Sequence, residues 1–160
     1  MVQLLLRLET QAVEGDMMYE YFEFKDSEPE IVKSLTAVLN FLEVSNFRVA
    51  TQRLPESRRD KNINEIIVRS NSRNQFGREV EENFTIYVFV NNDNENIAYK
   101  TANNLTTQIL TGLKMVKQNS DHFRNIQNIS SSVFEDEGNL QIRSILFTAT
   151  SYGISKIVNK

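Results

Sequence analysis

The 160-residue chain contains no cysteine and a single histidine. The first absence excludes disulfides, thiolate metal sites and cysteine nucleophiles together, and it fits a reducing compartment. The second leaves His122 without a partner imidazole, so neither a histidine metal site nor a nucleophile relay can be completed. Asp121 and His122 form a minimal acid/base pair, yet adjacent residues point in different directions and catalysis needs several convergent groups. No apolar run approaches the roughly 20 residues of a membrane helix. The opening MVQLLLRLET is interrupted by Arg7 and Glu9 too early for a signal-peptide core, so a chain made in a cytosol, with no membrane contact, is expected. Also missing are GxxxxGK[ST], GxGxxG and GxSxG, on which nucleotide binding and hydrolysis are built. Neither an enzyme nor a cofactor is expected.

What is present is ordinary globular composition, 40% hydrophobic and 24% charged, which argues against wholesale disorder. The length suits one domain with an appendage. Asparagine-rich runs such as NNDNEN favour polar loops. The net charge of −3 is unevenly spread: residues 48–78 hold eight basic and three acidic residues, net +5, so the remainder carries −8. Such a division suits docking to an oppositely charged partner or to a copy of the same chain. The acidic run Glu135, Asp136 and Glu137 reads as a solvated hairpin tip, since it lacks the glycine-spaced pattern of a calcium loop. Glu79, Glu81 and Glu82 open a strand and are expected to face water.

Residues 2 to 24 alternate apolar and polar around a turn at Glu14-Gly15-Asp16 and read as a β-hairpin, with a helix through Leu4 to Leu8 as the competitor. Its apolar cluster, Met17, Met18, Tyr19, Tyr21, Phe22 and Phe24, either packs on its own domain or meets another chain. Ser27 to Glu30 has the form of a capping box, from which a helix should run with Ile31, Leu35, Val38, Leu39 and Leu42 on its core face. Strands are expected over Phe47 to Leu54 and Ile63 to Arg69, then an open loop, SNSRNQFGRE, in which Gly77 can take a positive φ. Phe84 to Val90 is apolar on both faces and belongs inside a sheet. Asn92 should cap a helix of about 20 residues carrying Ala98, Ala102, Leu105, Ile109 and Leu113, weakened at Gly112. A weak strand over Phe123 to Phe134 and a convincing one over Leu140 to Tyr152 close the domain. GISKIVNK is either a short edge segment or a free end.

These elements predict an α+β fold: a single mixed, mainly antiparallel sheet flanked by two main helices, in the order β-hairpin, α, β, β, β, α, β, β. The expected divisions are 1–26 as an N-terminal appendage, 27–153 as the domain and 154–160 as a tail. The basic loops, with Arg58, Arg59, Lys61, Arg73, Arg78 and the interleaved Phe76, suit non-specific phosphate contact. The acidic total and the missing recognition motifs argue against a sequence-reading module.

Four segments carry a resemblance: FRVATQRLPESRR (Phe47 to Arg59), the Gly77 loop, FTIYVFV leading into NNDNENIAYKTANNLTTQIL, and LQIRSILFTATSYG. In their order, over about residues 27 to 153, they resemble the tail terminator (tail completion) proteins of tailed bacteriophages. The resemblance implies a structural virion protein at the head–tail junction, assembled in the host cytoplasm. It would form a hexameric ring on the tail tube, stop tube polymerisation and receive the head. Its partners would be copies of itself, the tail tube protein and a head-completion or connector protein, with DNA in the channel as a possible non-specific contact. Arg53, Arg58, Arg59, Arg73 and Arg78 would then face acidic surface on a neighbour or the tube, and Met17, Tyr19, Tyr21 and Phe22 would supply apolar contact. The hairpin at 2 to 24 departs from the family's pattern. A neck or head-completion joining protein is the alternative, and a small nucleic-acid-binding accessory module a more remote one.

Overall fold

The computed structural model describes residues 3–13 and 16–159, with side chains for 18–116, 120–134 and 138–159. In chain order the elements are β1 (Gln3–Val13), β2 (Asp16–Phe24), α1 (Ser27–Phe41), β3 (Phe47–Ala50), β4 (Asn64–Phe76), β5 (Glu79–Asn91), α2 (Glu95–Asn119), β6 (Phe123–Glu137), β7 (Leu140–Tyr152) and β8 (Ile154–Asn159). The fold is α+β. Its main sheet has the order β3-β4-β5-β7-β6, parallel between β3 and β4 and antiparallel elsewhere.

A second sheet, β1-β2-β8, is built from both ends of the chain. The hairpin forms as strands, and its turn at 14–15 lies outside the described residues, as does the side chain of Met17. The segment from Ile154, read as an edge piece or a free end, pairs antiparallel with β2, so that appendage and tail are one structure. Its link to the main domain is the small buried cluster of Phe22, Phe24 and Val80.

Both helices cover one face of the main sheet. Ile31, Leu35, Val38 and Leu39 of α1 join Ala98, Ala102, Leu105, Ile109, Leu113 and Val116 of α2 over Phe84, Ile86, Val88 and Val90 of β5. Phe84 and Phe147 stack with ring centroids 5.2 Å apart. The helical spacing of these residues explains the packing: each turn returns an apolar side chain to the same stripe.

The helices differ from the sequence reading at three points. Asp26, one residue earlier than expected, caps α1 by accepting from the Glu28 N–H. Asn94 rather than Asn92 caps α2, accepting from the N–H groups of Asn96 and Ile97, while Asn92 accepts from the Asn94 N–H in the turn before it. The α2 helix also runs through Gly112 for 25 residues. A Cβ at Gly112 would lie 3.3 Å from Val38 and 3.4 Å from Leu35, so the missing side chain lets the helices approach closely. That contact offsets the intrinsic cost of about 1 kcal/mol for glycine in a helix.

The largest correction concerns residues 70–78. The expected open loop is instead strand: β4 continues to Phe76, pairs with β5 down to Phe76 opposite Glu79, and turns at Gly77 with φ of 61°. A register shift between Ser70 and Ser72 absorbs Asn71, whose side chain donates to Thr85. Serine and asparagine mark turns only when their side chains satisfy the local backbone; here the partner strand satisfies it instead. By contrast β3 stops at Ala50, short of the expected Leu54.

Candidate interaction surface

Alternation along β5 sends Phe84, Ile86, Val88 and Val90 to the helices and Tyr87 and Phe89 to the opposite face. Neither α1 nor α2 covers that face. Pairing places Ile67 beside Tyr87, and Ile142 beside Phe89 on the same side. Ile67 and Ile142 are buried, whereas Leu146 is 44% and Phe134 64% exposed. Phe134 meets Tyr87 edge-on at 5.8 Å. An open sheet face with aromatic and aliphatic side chains of this size has the composition of a protein–protein contact rather than of solvated sheet.

At the β3–β4 end the face carries an arginine cluster. Glu65, in β4, has a side chain only 6% exposed. Its carboxylate accepts from Arg48 Nη1 at 3.2 Å, from Arg53 Nε at 3.0 Å and from the Leu54 N–H at 3.0 Å. Arg59 Nε lies 3.6 Å away and donates to the Leu54 carbonyl at 2.7 Å. Three guanidinium groups on one carboxylate leave the cluster with an excess of positive charge. Arg53 also lies 4.0 Å above the Phe89 ring, which fixes the plane of its guanidinium. Between them is a cleft of about 410 Å³ lined by Arg53, Arg59, Lys61, Phe89 and Leu140, with Glu56 and Asp60 also on its wall.

The other residues singled out in the sequence fall elsewhere. Arg58 is exposed in the short helical turn Glu56–Arg58, beside the cluster. Arg73 was expected on a projecting loop but stands in β4, 16% exposed, 3.6 Å from Glu82 and 5.9 Å from the Phe24 ring. Glu82 does not face water either; it is buried and accepts from the Ser70 hydroxyl. Arg78 donates to the Gly153 carbonyl, and its own carbonyl accepts from the Gly153 N–H. Arg73 and Arg78 therefore secure the joint between the two sheets, and only Arg53, Arg58 and Arg59 share a surface. Phe22 is buried at that joint, while Tyr19 and Tyr21 are half-buried in the small sheet. Sequence reading missed Glu65 as the organiser of the cluster. The signal available was a lone acid beside the apolar run IIV, opposite Arg48 once β3 and β4 are paired.

No protein-family model and no curated protein matches the chain.

The joint also holds the single histidine. Ser27, expected to cap α1, is instead buried, and its hydroxyl lies 3.0 Å from His122 Nε2, 95 residues away in sequence. This bond ties the start of α1 to the turn before β6. Among the described residues, no group of three or more His, Asp or Glu side chains is placed to hold a metal ion, and no helix is long and apolar enough to cross a membrane. Burial lowers the His122 pKa below its ordinary value of 6.5, with Glu30 and Glu82 opposing and Lys25 and Arg73 reinforcing the shift. The unfolded chain therefore binds a proton that the folded chain refuses between the lowered value and 6.5, so stability is complete above that window and falls as pH drops through it. The melting temperature should decline between pH 7.5 and 5.5 in the native protein, and His122→Asn should flatten that decline; equal slopes in both proteins would remove His122 from the explanation.

Proposed function

We propose that the chain is a ring-forming structural subunit that caps the head-proximal end of a bacteriophage tail tube, ends its polymerisation and offers the docking surface for the head. The observation that carries this reading is the succession α, β, β, β, α, β, β around one mixed sheet whose helices lie on a single face. A sheet of this kind has one face committed to its core and one free for assembly. The free face here bears Tyr87, Phe89, Leu146 and Phe134 beside the Arg53 and Arg59 cluster, the residue types that dominate binding energy at protein contacts. Copies of the chain, the tube protein and a connector protein are the partners in this reading, and the ring is hexameric.

Immunogold labelling of virions tests it. Label should fall at the head–tail junction, and loss of the gene should leave tubes of uncontrolled length without heads. Label along the tail shaft or over the capsid, with tail length unchanged in the deletion, would overturn it.

A further inference from the structure

The two sheets treat their edges differently. An edge strand exposes a row of unpaired N–H and C=O groups, and proteins blunt it by keeping it short, bulging it or charging it. Both edges of the main sheet are blunted. β3 pairs over only four residues, and the pairing of β6 with β7 is broken by three register shifts. The small sheet is more regular: Gln3 to Glu9 of β1 pair with β2 residue by residue, and so do Ile154 to Glu23 and onward to Asn159 of β8.

All six residues of β8 are exposed, with Ile154 at 47%, Ile157 at 60% and Val158 at 42%. Lys156 is the one charged side chain among them, and the strand has neither a proline nor a bulge. An exposed, regular and largely aliphatic edge of this kind is a template for a further strand. Among the described residues, neither β1 nor β8 has a strand neighbour other than β2. Each runs antiparallel to β2, so they run parallel to one another at opposite edges of one sheet.

We propose that the β8 edge of one copy pairs, in parallel, with the β1 edge of the next, so that the small sheets of successive copies join into one. The bonds run between main-chain groups and ask for no particular side chain of β1. This deepens the ring reading above and rests on it. A contact between two different edges is head-to-tail, and head-to-tail contacts close into rings when the rotation allows. Closure removes every open edge of the small sheets, as it does in a barrel. Six copies at three strands each reach the size class, about 16–18 strands, in which a closed barrel leaves an aqueous channel. A two-fold pairing of β8 with β8 would instead leave both β1 edges open.

Disulfide trapping tests the pairing, since the native chain has no cysteine. Ile157→Cys in β8 is combined in turn with Gln3→Cys, Leu5→Cys, Arg7→Cys or Glu9→Cys, the β1 positions that share a side of the sheet with Ile157 through their pairing with β2. Four positions are used because strand tilt in a closed barrel staggers neighbouring copies. Within one copy β1 and β8 flank β2 and lie about 9.5 Å apart, beyond the roughly 7 Å that a disulfide can bridge between Cα atoms. A disulfide between them therefore joins two copies. Melting temperature of the reduced chains checks that each variant folds. Under mild oxidation at least one double variant should give a ladder of covalent multimers, forming about tenfold faster or more than the dimers of a chain with Lys33→Cys, an exposed position on α1. Each single variant should dimerise no faster than that control. Absence of a ladder in all four double variants at up to about 1 mM chain would overturn the pairing. So would rapid dimerisation of Ile157→Cys alone, the mark of two-fold β8 pairing. Failure here with label still at the head–tail junction leaves the cap reading standing. A ladder with label elsewhere leaves the pairing and removes the cap.

Discussion

Glu65→Ala is expected to lower the free energy of unfolding by about 3 kcal/mol, because it leaves three guanidinium groups without their shared counter-charge and the Leu54 N–H without its acceptor. The carboxylate is 6% exposed, whereas the side chains of Arg48, Arg53 and Arg59 are 33%, 29% and 34% exposed. Water therefore reaches the cations and keeps the loss at the lower end of what removing one partner from a buried ion pair costs. Replacing Arg59 instead should cost about 1 kcal/mol or less, as its 3.6 Å approach to Glu65 is the loosest and it is the most exposed of the three. Urea denaturation measures both. A Glu65→Ala curve that overlays the native one would mean that the arginines are as well solvated without the carboxylate, and that the cluster does not hold the β3–β4 connection in place.

Gly153→Ala should destabilise by about 2–3 kcal/mol through overpacking. Gly153 separates β7 from β8 at the point where the small sheet meets the domain. A Cβ there would lie 2.7 Å from Cε1 and 2.9 Å from Cζ of Phe24, and 2.9 Å from Cβ of Phe22. Neither neighbour can give way cheaply. Phe24 is fully buried, and the Cβ of Phe22 moves only with its backbone. Since Gly153 also exchanges two hydrogen bonds with Arg78, the strain should fall on the joint. Amide exchange in β2 and β8 should accelerate more than in β5, and the melting temperature should drop. Native-like melting together with unchanged exchange in β2 would show that the joint is looser than these contacts imply.

The joint was the least legible part of the molecule in sequence. Phe22 and Phe24 stood out as too apolar for a solvated hairpin, but Val80, their partner, lies more than 50 residues downstream in a strand with its own register. Ser27 followed by Glu30 has the form of a capping box, and a Ser–x–x–Glu pattern cannot reveal that Asp26 takes the cap once Ser27 is claimed by His122. Arg73 and Arg78 illustrate the same limit. Both sit in a segment of serine, asparagine and glycine that is loop-like by composition, and pairing with β5 turns all of it up to Phe76 into strand.

The candidate surface was half legible. Counting charges located the basic segment and set Arg53, Arg58 and Arg59 within it. Tyr87 and Phe89 were visible as the second apolar face of the central strand, but how far that face is covered depends on where the helices lie. Both helices pack on the Phe84 side, so Tyr87 and Phe89 remain at an open face.

Periodicity and turn signals placed the main elements in order from the hairpin to β7 and the core stripes of both helices, because burial on one face imposes a repeat of about 3.6 or 2 residues that a single segment displays, while β8 and the far half of β4 were not legible. Strand order, the separate sheet made from both chain ends, and the gathering of Arg48, Arg53 and Arg59 on Glu65 were decided only by tertiary structure. Each depends on a register between segments distant in sequence, and a register is a property of two strands that neither one carries by itself.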